Sequence, residues 1–144
     1  MNNSIGPIKI NPVPIYQANG ATMSKKRILI VDDNKINIKV ARRALEEFNY
    51  EIDECYDGAE CLEKINSGEK YDLILMDIMM PVMDGEEALR NLLAIPGFNT
   101  PVIALTADAV AGAKEKYLAD GFNEYISKPF SRDLIQTMIE PYLK

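Results

Sequence analysis

Histidine is absent from this 144-residue sequence, and basic residues are outnumbered. Sixteen Lys and Arg stand against 22 Asp and Glu, a formal net charge of −6 at pH 7. Without histidine the chain can build no Ser-His-Asp triad, no imidazole metal site and no phosphohistidine of its own. The acidic excess repels polyphosphate and argues against autonomous binding of DNA or RNA. The two cysteines, Cys55 and Cys61, have no CxxC spacing and read as plain buried thiols in a reducing compartment. No apolar run approaches the roughly 20 residues of a membrane span, so no membrane contact by this segment is expected. The N-terminus lacks the positive flank and apolar core of a secretory signal. No Gly-rich loop follows the first apolar run, so a nucleotide phosphate cradle is not expected. Internal repeats and low-complexity stretches are missing too.

What is present is ordinary for a globular chain: 47% apolar and 26% charged residues. The length suits one domain with one core region. Residues 1–24 differ from the rest. They hold three of the eight prolines and show neither a helical nor a strand period, so they are expected to be a tail or linker, with the domain spanning 25–144.

From Lys25 onward, short apolar runs alternate with helical periods. Arg27–Val31 is an uninterrupted apolar strand ending in Asp32 and Asp33. A helix is expected from Asn34 to Asn49, with Ile36, Val40, Ala41, Ala44, Leu45 and Phe48 as its inner stripe. Ile36 and Ile38 lie about 200° apart on a helix, so one of them must face outward. Residues 51–55 form a second strand. Asp57 with Glu60 reads as a capping box for a helix burying Leu62 and Ile65 and ended by Gly68. Leu73–Met76 is a third strand, closed by Asp77. Asp84 with Glu87 repeats the capping box, opening a helix that runs through Ala94. Val102–Leu105, closed by Thr106, is the fourth strand. Asp108–Asp120 is expected to be an Ala-rich helix with Gly121 as its C-terminal cap. Residues 124–127 are the fifth strand, closed by Lys128 and Pro129. Ser131 caps a last helix with Leu134, Ile135, Met138, Ile139 and Tyr142 inward.

Strands that are apolar throughout are buried on both faces, which predicts an α/β fold with helices on each side of a parallel sheet. Right-handed crossovers leave the doubly wound five-stranded order 2-1-3-4-5 as the economical topology. All strand C-termini then share one edge, where ligands bind beside the reversal of strand order. That edge receives Asp32, Asp33, Asp77, Thr106 and Lys128. Each is unremarkable alone, as a helix-start acid, a turn residue, a cap or a solvated lysine. Their conjunction at four strand ends is the signal. Three carboxylates packed together repel and call for a cation. Oxygen ligands without imidazole or thiolate favour Mg²⁺, with Mn²⁺ as the alternative. A carboxylate is also a nucleophile toward phosphoryl groups, whose oxygens are then met by a cation, a hydroxyl and an ammonium.

At these residues the sequence resembles the receiver domains of two-component response regulators. The matching stretches are Ile28-Leu29-Ile30-Val31-Asp32-Asp33-Asn34, Leu75-Met76-Asp77-Ile78-Met79-Met80-Pro81-Val82-Met83-Asp84-Gly85, Val102-Ile103-Ala104-Leu105-Thr106-Ala107 and Ser127-Lys128-Pro129-Phe130. The resemblance implies the flavodoxin-like receiver fold. It implies that Asp77 accepts a phosphoryl group from a phosphohistidine on a histidine kinase dimerisation domain or a histidine phosphotransfer protein. It further implies that Asp33 ligates Mg²⁺ directly, Asp32 mainly through water, and Met79 through its main-chain carbonyl. Thr106 and Lys128 would contact the phosphoryl oxygens, the Lys128–Pro129 bond would be cis, and Tyr125 matches the switch aromatic. The helix opening Asp33-Asn34-Lys35-Ile36-Asn37 looks most like receivers of hybrid sensor histidine kinases, and no output domain is expected after the fifth helix. The expected location is cytoplasmic, alone or as the cytoplasmic portion of a membrane-bound sensor kinase.

Met79 departs from the polar residue that many such domains carry there. Met79 and Asp108, two residues after the acceptor and two after the threonine, are the side chains placed to tune dephosphorylation. Three rival readings remain: a stand-alone regulator acting by partner binding, an aspartyl-phosphate phosphatase, and a flavodoxin-like electron carrier. The phosphatase needs a second acid where Met79 stands. In the electron carrier, the acids at Asp32 and Asp33 would repel the FMN phosphate.

Overall fold

The computed structural model describes residues 25–107 and 110–144. The tail expected over 1–24, and Asp108, lie outside the described residues. Five strands, β1 (Arg27–Val31), β2 (Glu51–Cys55), β3 (Leu73–Asp77), β4 (Val102–Thr106) and β5 (Glu124–Ser127), form one sheet in the order β2-β1-β3-β4-β5. Every pairing is parallel, with Val31 opposite both Cys55 and Met76, Asp77 opposite Leu105, and Thr106 opposite Ser127. The expected fold and strand order are those observed.

The helices divide between the two faces. α1 (Lys35–Leu45) and α5 (Arg132–Ile139) cover one. Ile38, Ala41, Leu45, Ile135 and Ile139 meet Ile28, Ile30, Leu73, Leu75, Ile103 and Leu105 there. α2 (Gly58–Asn66), α3 (Gly85–Leu93) and α4 (Ala113–Asp120) cover the other. Cys61, Ala88, Leu89, Leu92 and Tyr117 meet Leu29, Val31, Ile74, Met76 and Ala104 on that side. The alternation of side chains along each strand feeds the two cores in turn.

The expectations for four helices are corrected. In α1 the inner stripe runs through Ile38, Ala41, Ala44 and Leu45, while Ile36 is 70% exposed and Val40 49%. The phase of α1 is set at its start, where the Asn34 side chain accepts from the Ile36 and Asn37 N–H groups. The helix also ends early: Glu46–Phe48 tighten into a 3-10 turn, and Asn49 adopts φ 59°. In α2 the wholly buried side chain is Cys61, with Leu62 and Ile65 only half-buried against the core. α4 starts at Ala113, not Asp108, because Gly112 takes φ 85°, a left-handed conformation that cannot continue a helix. In α5, Leu134 points outward at 42% exposure.

The Asp57 and Asp84 caps accept from the Glu60 and Glu87 N–H groups as expected. Glu60 reaches back to the Tyr56 N–H, one residue before the cap. Both cysteines are buried and unpaired by disulfide. Among the described residues no helix is long and apolar enough to cross a membrane.

Candidate functional site

The sheet's C-terminal edge is built from main-chain ties between loops. The Asp32 N–H donates to the Cys55 carbonyl at 3.1 Å, seating the end of β1 against β2. Asp32 Oδ1 accepts from the Asn34 N–H at 2.9 Å, which turns the chain into α1. The Ile78 N–H donates to Leu105 O at 3.1 Å, carrying the β3 exit against β4. The β3–α3 loop closes on itself: the Gly85 N–H donates to Ile78 O at 2.9 Å and the Met83 N–H to Pro81 O at 2.7 Å around Val82, whose φ is 68°. Gly85 is sterically required, since a Cβ there would sit 2.4 Å from the Asp77 carbonyl oxygen. The Lys128 N–H donates to Thr106 O at 2.8 Å, fixing where β5 releases its lysine.

These ties bring Asp32, Asp33 and Asp77 together, with a carboxylate oxygen of each within 4.8 Å of the others. Asp32 and Asp77 are buried, and Asp33 is exposed. The Lys128 ammonium donates to Asp32 Oδ2 at 3.0 Å and to Asp77 Oδ1 at 3.1 Å, bridging the ends of β1 and β3 from β5. Burial pushes the Asp77 carboxyl above its ordinary range, and the neighbouring Asp32 charge pushes it further; Lys128 opposes both without cancelling them. Burial alone would lower the Lys128 ammonium, but its hydrogen bonds and Coulomb attraction to Asp32 and Asp77 leave it raised. One ammonium against three carboxylates leaves an excess of negative charge. A cluster of that sign made only of oxygen ligands fits a hard divalent cation and no soft one.

The carboxylates line a cleft of about 520 Å³, shared with Lys128, Met79 and Phe130. One wall is apolar, from Val40, Ala41, Leu105 and Phe130. An open groove adjoins it across Val40 and Phe130 and is lined also by Ile36, Lys39, Arg43 and Arg132. Asn37 and Phe130 also line the cleft, beyond the residues expected there. The available signals were the one-turn spacing of Asn34, Asn37 and Ala41 on α1 and the position of Phe130 two residues after Lys128.

Of the other sequence-derived candidates, Thr106 ends β4 fully buried. Met79 is 74% exposed at the cleft, whereas Met76, Met80 and Met83 pack in or against the core. Tyr125 is half-buried, its ring stacked on Tyr117 at 5.7 Å between centroids. The Lys128–Pro129 bond is cis.

Comparison with known proteins agrees with this geometry. The family model of the response regulator receiver domain matches residues 28–140. The hybrid signal transduction histidine kinase I of Dictyostelium discoideum is 35% identical over 130 residues, 85% of this chain and 8% of that protein. The signal transduction histidine-protein kinase BarA of Escherichia coli is 38% identical over 116 residues, 80% of this chain and 12% of that protein. The chain thus spans only a small part of the length of these kinases. Among solved structures, the receiver domain of the sensor histidine kinase PA1611 from Pseudomonas aeruginosa superposes with a TM-score of 0.75 at 35% identity, covering 83% of this chain and 98% of that one. That structure has a magnesium ion coordinated in its active site cleft. Five parallel strands in this order, acids and a lysine meeting at their ends, and a family match across most of the chain lead to one conclusion: the chain belongs to the response regulator receiver domain family.

Proposed function

We propose that residues 25–144 are a phosphoacceptor domain of a phosphorelay, with 1–24 as a tail or linker, and that Asp77 is the acceptor. The observation that carries this is the Lys128 ammonium held between Asp32 and Asp77, beside the exposed Asp33, where the strand order reverses. An Asp77 oxygen attacks the phosphorus of a phosphohistidine on a partner. The new O–P bond forms as the N–P bond breaks, and the imidazole leaves with the electron pair. Lys128 already touches Asp77, so its ammonium lies within reach of the incoming phosphoryl oxygens. Thr106, at the end of the adjacent strand, supplies a hydroxyl to the same group. Asp32, Asp33, Asp77 and the main-chain carbonyl of Met79 would hold Mg²⁺, which offsets the charge on the carboxylates and on the phosphoryl oxygens. In this reading Thr106 and Tyr125 form the switch, and Met79 and Asp108 tune dephosphorylation.

The kinase relatives support an origin in a hybrid histidine kinase, and a cytoplasmic location follows from the use of an intracellular phosphohistidine donor. The donor is a kinase dimerisation domain or a phosphotransfer protein, seated over Ile36 and Val40 beside the cleft. These relatives do not favour the stand-alone regulator or the phosphatase.

The test is phosphotransfer from purified phosphohistidine proteins, and from acetyl phosphate, in Mg²⁺. A single phosphoryl adduct on Asp77, absent in Asp77→Asn, is expected. An acyl phosphate retained on Asp32 or Asp33 in that variant would overturn the assignment.

A further inference from the structure

Gly58 opens α2, one residue after the Asp57 cap, with an ordinary right-handed helical backbone. Glycine is a poor helix former, and nothing in this backbone conformation calls for one. The reason is space. A Cβ on Gly58 would stand 2.8 Å from the Met83 carbonyl oxygen, 2.8 Å from the Ala88 Cβ and 3.0 Å from the Met83 Cγ. Optimal contact needs about 3.5–4.0 Å. The main-chain oxygen and the Ala88 Cβ cannot swing aside as the end of a long side chain can. The Gly58 N–H meanwhile donates to that same Met83 oxygen at 3.1 Å. The first turn of α2 is thus laid flush against the end of the β3–α3 loop and the first turn of α3.

That loop carries Met79, whose main-chain carbonyl belongs to the proposed Mg²⁺ site. Residues 79–83 make two main-chain hydrogen bonds. The Met83 N–H to Pro81 O bond lies within the loop, and the Gly58 N–H to Met83 O bond is the one that reaches another element. α2 is seated by the buried Cys61, and α3 by the buried Ala88, Leu89 and Leu92. Met79, Pro81 and Val82 are exposed. Of the three parts that meet at Gly58, the loop has the least core holding it, so bulk at position 58 displaces the loop. The turn at 81–83, closed around the left-handed Val82, travels as one piece. The displacement then falls on Met79 and Met80, which join that turn to the end of β3.

We propose that Gly58 is a positioning residue for the metal site. Its bare Cα gives the Met83 carbonyl a seat on α2, and that seat sets where the β3–α3 loop holds the Met79 carbonyl. The second part rests on the reading of the three carboxylates and the Met79 carbonyl as the Mg²⁺ site. The seat itself stands on the geometry of the free protein.

Gly58→Ala is to be compared with Gly121→Ala. Gly121 lies just before β5, at the opposite edge of the sheet from the carboxylates. A Cβ there meets Leu93 Cδ1 at 2.9 Å, in a backbone with φ 116°. Both substitutions force a clash, and both are expected to lower stability in urea unfolding. Only Gly58→Ala presses on the loop. In Mg²⁺ titrations followed by the amide shifts of residues 32–33 and 77–80, its dissociation constant is expected to rise by about 3- to 10-fold, at the lower end of what lost support around a metal site costs. Gly121→Ala is expected to keep the wild-type constant. In the metal-free proteins, the amide shifts of residues 79–83 should move in Gly58→Ala and stay in place in Gly121→Ala. The double variant Gly58→Ala with Ala88→Gly opens room between the helices and leaves the Met83 oxygen where it is. It is expected to keep the weakened Mg²⁺ affinity.

Wild-type affinity in Gly58→Ala would overturn the proposal. So would recovery of affinity in the double variant, since helix spacing and not the loop would then be at work. Equal weakening in Gly121→Ala would reduce the effect to stability and overturn it as well. A chain that fails to fold with Gly58→Ala, alone and with Ala88→Gly, would make Gly58 a residue of the fold only, which also overturns it. Absence of any Mg²⁺ response in the wild type would count instead against the metal site, leaving the metal-free shifts at 79–83 to decide the seat.

Discussion

Asp77 stands at the end of the central strand with a second buried carboxylate beside it and one ammonium shared between them. Its raised pKa means that the folded state holds this proton to a higher pH than the unfolded chain does. The destabilisation is absent below the unfolded carboxylate range, grows as pH rises through the folded pKa, and is complete above it. Asp77→Asn is therefore expected to raise unfolding stability at pH 7 without Mg²⁺ by roughly 1 kcal/mol, and to flatten the dependence over that window, as read by urea unfolding at several pH values. Met79 makes a different prediction. Its thioether lies exposed at the cleft and offers no useful hydrogen bond to an attacking water. Met79→Asn is expected to shorten the life of the Asp77 phosphoryl group by about 3- to 10-fold, measured as decay in saturating Mg²⁺ after donor removal. An unchanged or longer life would remove Met79 as the shield.

Among the elements, β2 shows how an edge strand is held. Its Asp53 accepts from the Tyr71 hydroxyl at 2.6 Å and from Lys64 of α2 at 3.2 Å, and Arg27 lies over the Tyr71 ring. Burial works against the Asp53 carboxylate, yet the hydrogen bonds from Tyr71, the Glu54 N–H and Lys64 together hold its pKa below the ordinary range. This contribution is present above the unfolded carboxylate range and is lost as pH falls through the folded pKa. Tyr71→Phe should cost about 1 kcal/mol at pH 7 and lose that advantage in acid, which thermal unfolding at neutral and low pH will show.

α1 supplies the complementary case. Ile38 is 2% exposed in the core, so Ile38→Ala should cost about 2–4 kcal/mol, whereas Ile36→Ala should cost under about 0.5. Ile36→Asp is expected to slow transfer from a phosphohistidine protein and leave acetyl phosphate unaffected; equal slowing would point to damage at the site.

At the scale of the whole molecule, what was legible in the sequence follows from burial. The central strands β1, β3 and β4 were readable because both faces of the sheet are covered there, so their apolar runs are unbroken and end where chemistry begins, whereas the edge strands β2 and β5 are mixed in sequence and only half-buried. The strand ends then delivered Asp32, Asp77, Thr106 and Lys128 to one edge without any knowledge of contacts. Helix phase was less legible. α1 carries apolar residues at 36, 38 and 40, around most of its circumference, and only the Asn34 cap and the fit of Ala41 against the sheet select Ile38. The start of α4 was hidden because helix-favouring alanines precede Gly112, whose left-handed backbone is a property of the folded chain. The stacking of Tyr117 on Tyr125 has no signature in spacing at all. Mg²⁺ binding only the assembled cluster should stabilise the whole domain by mass action, about 2.7 kcal/mol at a hundredfold excess over its dissociation constant. A melting temperature that ignores millimolar Mg²⁺ would count against the cluster as a metal site.

Lys128 lies 96 residues beyond Asp32 and 51 beyond Asp77, yet its ammonium is the one cation hydrogen-bonded to both carboxylates among the described residues. A ribosome makes the chain from the other end, and domains form as their segments emerge. Until β5 leaves the exit tunnel, β1 and β3 carry their acids with no lysine to bridge them, and their pairing works against uncompensated like charge. Nascent chains arrested before Glu124 are therefore expected to stay protease-sensitive, and those released past Lys128 to become resistant. The last strand to be synthesised is the one that neutralises the first.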